Sequence, residues 1–217
     1  MSLLLGLDVG TSSLKAVLYD PSSGRITAQA AAPTPVSHPR PDWTEYDPIA
    51  LWQGMSACIR QVVATLSPGQ SVAGVAAASM GEAGVPLGKD GEPLYPIMAW
   101  FDPRSVAQAE RLRREIGAEA IHRVTGQQVR EVFTSPKLLW LQEHAPDVLK
   151  RAALWLSMED YMLWRLSGVA ATDYSVASRT MLFDQQRAEW WPEMLAFCGL
   201  DAVFCPMPIL PVRRWAG

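Results

Sequence analysis

Residues 3–9, 14–20 and 25–32 form three short apolar runs, separated by Gly10-Thr11-Ser12-Ser13 and Pro21-Ser22-Ser23-Gly24. Turns this tight join only antiparallel neighbours, so the chain is predicted to begin as a three-strand meander. That order removes two nucleotide-binding arrangements. The first turn leads into a strand and not a helix, against a Rossmann unit. No G-x-x-x-x-G-K-S/T run occurs, against a Walker A loop. The first run has little polar alternation and reads as a strand buried on both faces. Asp8 interrupts it and no basic stretch precedes it, so it does not read as a signal peptide.

Four prolines between 33 and 41 then forbid regular structure. Asp47-Pro48 supplies an N-cap and a first-turn proline. Ile49, Trp52, Met55, Ile59, Val62, Val63 and Leu66 continue as a helical stripe, which Ser67-Pro68-Gly69 ends. Residues 72–78 (VAGVAAA) read as a buried strand of small residues. Residues 84–87 read as a strand, 88–91 as a turn and 94–100 as an extended segment. Helices are predicted over 105–116, 136–143, 158–166 (stopped by Gly168) and 191–198. A meander followed by helix–strand alternation is an α/β layered domain. The Pro-rich residues 205–211 read as the start of a connection to something else.

Composition decides what this layered chain does not need. Apolar residues are 49% and charged residues 19%, enough for a sizeable core. A net charge of −3 gives no reason to expect a nucleic-acid or membrane-surface partner. No apolar run approaches the ~18 residues of a membrane span. Cys58, Cys198 and Cys205 make no C-x-x-C pair and read as free buried thiols, which suit a reducing cytoplasm. The three histidines lack metal-ligand spacing, and G-x-S-x-G is absent.

The segment carrying most chemistry is 8–15. A carboxylate at the end of a buried strand is costly unless compensated, and a hydrated magnesium ion on phosphate would compensate Asp8. Gly10 lets the backbone come close to a ligand. The amides around Gly10, Thr11, Ser12 and Ser13, with three hydroxyls, make a concave turn suited to an anion, and Lys15 adds charge. An ordinary hairpin capped by Asp8 accounts for the same residues, and both readings stand at this point.

Further segments add to it. The runs 6–15 (GLDVGTSSLK), 43–48 (WTEYDP) with Trp52, 100–104 (WFDPR), 137–141 (KLLWL), 160–168 (DYMLWRLSG) and 172–180 (TDYSVASRT) occur in one order. In that order and spacing the chain resembles the FGGY family of carbohydrate kinases, over nearly its whole length. The resemblance implies an N-terminal domain, residues 1–217, of the ribonuclease-H-like (actin/Hsp70/hexokinase-type) ATPase fold. It implies transfer of the γ-phosphoryl of ATP to a hydroxyl of a sugar or polyol, with Mg²⁺. Asp8 would stand on the metal side, and Gly10, Thr11, Ser12, Ser13 and Lys15 on the phosphate side. The parent would be roughly twice as long, a size set by two domains, and would act as a homodimer. Its general base, an Asp in a Gly-rich segment, and its adenosine-binding domain would follow residue 217, leaving this fragment inactive alone. A stand-alone module that binds sugar or phosphate without catalysis is the alternative.

On the sugar side the resemblance points to Gly81, Glu82, Trp100, Asp102 and Arg104. Glu82 follows the small-residue strand and would accept from sugar hydroxyls, or else is a solvated turn residue. Trp100 offers a flat wall for a sugar ring, or else packs in the core. Asp102 and Arg104 either touch substrate or pair to hold their loop. Gly81 stands where glycerol kinase carries Arg and xylulokinase Met, and Val132 where glycerol kinase-like chains carry Tyr. The Gly81 departure argues against glycerol and xylulose and leaves room for a bulkier substrate, or for one without a group for Arg to bind. The Val132 departure removes a hydroxyl donor and again argues against glycerol. Asp173, Ser175, Ser178 and Arg179 read as loop scaffolding near the cleft.

Overall fold

A computed structural model describes residues 2–209. The meander is present as β1 (Ser2–Val9), β2 (Ser13–Asp20) and β3 (Arg25–Pro33), each pair antiparallel. A two-residue strand, β4 (Glu45–Tyr46), precedes α1 (Pro48–Val63). Helix α1 starts where the sequence places it. The Asp47 side chain accepts from the Ile49 and Ala50 amides, and Pro48 opens the first turn. The strand β5 (Ser71–Ser79) returns parallel to β1 and completes the sheet order β3-β2-β1-β5.

Helix α1 covers one face of this sheet. Its Leu51, Met55, Cys58 and Val62 meet Leu3, Leu5, Leu7, Val9, Leu14, Ala16 and Leu18 in one core. This corrects the expectation that β1 is buried on both faces. Its side chains alternate inward and outward, and Leu4 is exposed together with Tyr19 and Val75 on neighbouring strands. The same correction applies to β5. Among the described residues it is an edge strand with no fully buried residue, β1 being its one partner in the sheet. A run of small apolar residues satisfies an edge as readily as a core, and periodicity does not separate the two.

The rest of the chain divides. Val85, Leu87, Ile97, Leu156, Met158, Tyr161 and Met162 join the first core, and residues between Ala109 and Leu141 and from Met181 on build a second beside it. The strand β6 (Gly84–Leu87) is followed by β7 (Ile97–Met98), which pairs with β4. Of the extended segment 94–100, only these two β7 residues are strand. A single 3₁₀ turn leads into α2 (Val106–Leu112), a wide π turn at Arg113–Gly117, and α3 (Ala118–Thr125). The predicted helix over 105–116 is present and ends where expected, since Gly117, at φ 98° and ψ 129°, breaks it before α3. Helices α4 (Thr134–His144) and α5 (Pro146–Arg151) precede β8 (Leu154–Ser157), which pairs with β6. Next come α6 (Met158–Ser167), β9 (Ala171–Asp173), α7 (Tyr174–Ser178), β10 (Phe183–Asp184), β11 (Glu189–Trp190) and α8 (Pro192–Phe197). Gly168 ends α6 with φ 73°, the left-handed cap its position suggested. The Pro-rich segment is no plain connection where it is described: β12 (Met207–Ile209) pairs parallel to β9. Its remainder, Leu210 and Pro211, lies outside the described residues. All three cysteines are free and buried, and burial pushes the Cys198 and Cys205 thiols up to about 12.

Candidate functional site

Parallel pairing of β1 with β5 brings two loops to one end of the sheet. Val9 is in register with Ser79, and the Met80 amide donates to the Val9 carbonyl at 2.9 Å. The turn 10–13 and the loop 80–83 are therefore neighbours, although seventy residues of sequence separate them.

In the turn, the Gly10 amide donates to the Ser13 carbonyl at 3.0 Å, and a Cβ at Gly10 would stand 3.1 Å from that oxygen. A side chain there would crowd the turn, which is the reason for glycine. The Gly10 amide is thus spent inside the hairpin, and Thr11 and Ser12 are the exposed residues of the turn. Thr34, past the end of β3, holds the turn from behind. Its hydroxyl donates to the Gly10 carbonyl at 2.7 Å and its amide to the Ser12 carbonyl at 3.2 Å. Nothing local in the sequence points to Thr34. Asp8 sits between buried Leu7 and Val9 with its own side chain about half exposed, 3.8 Å from the Lys15 ammonium. The cost of a buried carboxylate therefore does not arise at Asp8, since the strand presents it on the outer face of the pleat.

Loop 80–83 is held in an unusual conformation. Glu82 has φ 57°, in the left-handed region that side chains seldom adopt. Lys137, from α4, is fully buried and donates to the carbonyls of Glu82 and Ala99, the latter at 3.0 Å. One ammonium thus ties the Glu82 loop to the segment that leads into Trp100. Burial draws that ammonium down to about 7, against the opposing charges of Asp102 and Glu82. The Glu82 carboxylate is only 10% exposed and pairs with Arg179, whose guanidinium is 45% exposed. Arg179 also lies 5.2 Å over the Phe133 ring and reaches Gln127 at 3.4 Å.

Two adjoining cavities share Met80, Gly81, Glu82 and Arg179. The inner one, about 210 Å³, is lined by hydroxyls from Ser79, Thr134, Ser157, Ser175 and Thr180, and by Glu159. Burial, reinforced by Asp173, pushes the Glu159 carboxyl up to about 7, while a hydrogen bond with Ser79 opposes the shift. The outer cavity, about 310 Å³, adds Trp100, Arg130 and Val132. A Cβ at Gly81 would meet nothing within 4 Å, so that position opens into space.

The expected residues separate accordingly. Glu82, Gly81 and Trp100 converge on the cavities. Asp102 and Arg104 do not line either one. Both side chains are buried, and the guanidinium grips Asp102 through Nε at 2.8 Å and Nη2 at 2.7 Å, then Glu45 through Nη1 at 2.7 Å. Asp102 also accepts from the Thr44 amide at 2.7 Å, and Arg104 stacks 3.8 Å from the centre of the Trp43 ring. Of the two readings for this pair, the geometry is that of the loop clamp. Among the residues expected to be scaffolding, Asp173 caps α7 through the Val176 amide at 2.8 Å and Ser178 donates to the Ser175 carbonyl at 2.7 Å. Ser175 and Arg179, however, face the cavities. Glu159 and Arg130 were not singled out from sequence. Glu159 directly precedes the 160–168 run, whose pattern says nothing of it, and Arg130 stands in the loop before α4, where only the fold brings it to the cavity.

Comparison with known proteins places this geometry. The family model for the FGGY family of carbohydrate kinases, N-terminal domain, matches residues 3–211. Glycerol kinase of Thermococcus gammatolerans is 32% identical over 97% of this chain and 42% of its own length. Xylulose kinase of Staphylococcus xylosus is 26% identical over 95% of this chain and 42% of its own. The crystal structure of gluconate kinase from Lactobacillus acidophilus superposes with a TM-score of 0.90 at 25% identity, over 97% of this chain and 42% of that one. The chain thus spans somewhat under half the length of the curated relatives it matches. Among the described residues no helix is long and apolar enough to cross a membrane. On the family match and the shared fold, the chain belongs to the FGGY family of carbohydrate kinases as its N-terminal domain.

Proposed function

We propose that this chain is the sugar-side half of an ATP-dependent carbohydrate kinase, which moves the γ-phosphoryl of ATP to a hydroxyl of a sugar or polyol. One observation carries the reading: the Val9–Ser79 register sets the anion-facing turn beside the loop that lines the cavities. A hydroxyl held in the inner cavity lies next to the place where phosphate would arrive. Phosphoryl transfer asks the protein for positioning and charge neutralisation more than for covalent help. Thr11, Ser12 and Lys15 would hold phosphate oxygens, Thr34 keeping the turn in shape. Glu82 and Arg179, fixed through Lys137, would orient the acceptor against Trp100.

Asp8 suits magnesium carried on ATP. Magnesium keeps most of its waters and takes one or two carboxylates besides phosphate, and Asp8 offers one half-exposed carboxylate with only a loose lysine partner. When bound, the ion neutralises charge on the β- and γ-phosphates. Asp8→Asn in the kinase that carries this domain is expected to lower kcat by ~10²-fold or more, with the melting temperature held. Turnover at the wild-type level in that variant would return Asp8 to a hairpin role.

A further inference from the structure

The outer cavity has the opposite polarity to the one expected of a site built around Glu82. Its carboxylate is 10% exposed, and one of its oxygens already receives the Arg179 guanidinium. What the pair presents to the cavity is Arg179, 45% exposed; its Nε and Nη2 face Glu82 and its Nη1 reaches Gln127 at 3.4 Å, which leaves one further N–H on each Nη for a ligand. Arg130, 59% exposed, lines the same cavity, and its nearest carboxylate, Glu131, stands 3.9 Å away. Among the described residues Glu82 is therefore the one carboxylate lining the outer cavity, and it is shielded, while both guanidiniums are partly exposed. Trp100 supplies an apolar surface beside them, and the space above Gly81 is free.

A guanidinium is planar and donor-only, and it matches a carboxylate or phosphate in a fork that a neutral hydroxyl cannot fill. A cavity of about 310 Å³ beside a second of about 210 Å³ also exceeds what a three-carbon polyol fills. We infer that the outer cavity takes the anionic end of a polyol chain, held by Arg179 and Arg130, while its hydroxyl end lies in the inner cavity. This rests on the sugar-site reading above and narrows the substrate class to polyols bearing a carboxylate or phosphate at the end remote from transfer.

The test is calorimetric titration of this 217-residue chain with three six-carbon probes: gluconate, sorbitol 6-phosphate and sorbitol. At low salt an anionic probe is expected to bind at least ~10-fold more tightly than sorbitol, the scale of a hydrogen bond to a charged group. The preference should shrink as salt is raised. Preference for gluconate identifies a carboxylate as the group read, and preference for sorbitol 6-phosphate a phosphate. Arg130→Ala and Arg179→Lys should each bring the ratio toward one. Arg130 is exposed, so its variant is expected to fold, and circular dichroism checks this. Sorbitol binding as tightly as both anions would overturn the inference and leave the sugar-site reading standing. Failure of all three probes to bind would overturn both.

Discussion

Glu159 shows how a residue without a motif becomes chemically distinctive. It lies at the start of α6, in the inner cavity, and burial with Asp173 nearby holds its carboxyl up at about 7. The unfolded chain keeps it near 4.5, so between those values the folded state binds more protons than the unfolded one. Stability then falls as pH rises across that window, because the folded protein must bury a charge. Glu159→Gln removes the titration. Thermal melts from pH 4.5 to 8 should show a flatter pH profile for the variant, with the gain in melting temperature appearing above pH 7. An unchanged slope would mean that Glu159 is solvated like an ordinary glutamate. Lys137 is the other buried charge of the site and has the reverse sign. Drawn down to about 7, it makes the fold gain stability as pH rises from there toward 10.5. The Gln variant isolates the acidic limb from it.

Among the elements, the loops between β4 and α2 are fixed by one guanidinium. Arg104 joins Asp102 to Glu45 and lies over Trp43, so that β7 and the turn into α2 move as a unit with β4. Removing one member of such a buried set leaves uncompensated charge, and Arg104→Ala should cost about 3–5 kcal/mol by denaturant unfolding. A cost near zero would show that the clamp is solvated. The sequence displayed the residues of this clamp but not their partner, since Glu45 stands 59 residues from Arg104. The same distance effect separates what was legible from what was not. Helix α1 was readable because Asp47, Pro48 and the apolar stripe act within a few residues of one another. The meander was readable because its turns are short. The wide π turn at Arg113–Gly117 was not, since nothing local separates it from an ordinary α turn, although the helix does end at Gly117, whose φ is 98°. The Arg179–Glu82 pair spans 97 residues, and no local signal distinguishes Arg179 from loop scaffolding.

At the scale of the whole molecule, two cores hold two halves of one site. The sheet with α1 carries the turn 10–13, α6 of the same core supplies Glu159, and the second core stands beside Lys137 and Arg179. Strand β5 links them, since its C-terminal end delivers Ser79 to the turn and Glu82 to the helices. The outer face of the sheet stays open at Leu4, Tyr19 and Val75, as does the free edge of β5, so the described residues cover the sheet on one side only. The joined cavities are proposed to bind a sugar or polyol. Backbone amide chemical-shift mapping of the labelled chain against a panel of ketoses, polyols and sugar acids tests it most directly. Saturable shifts are expected at Ser79–Glu82, Trp100, Ser175 and Arg179 for at least one member of the panel. Shifts absent throughout, or gathered on a surface remote from β5 and α7, would contradict it.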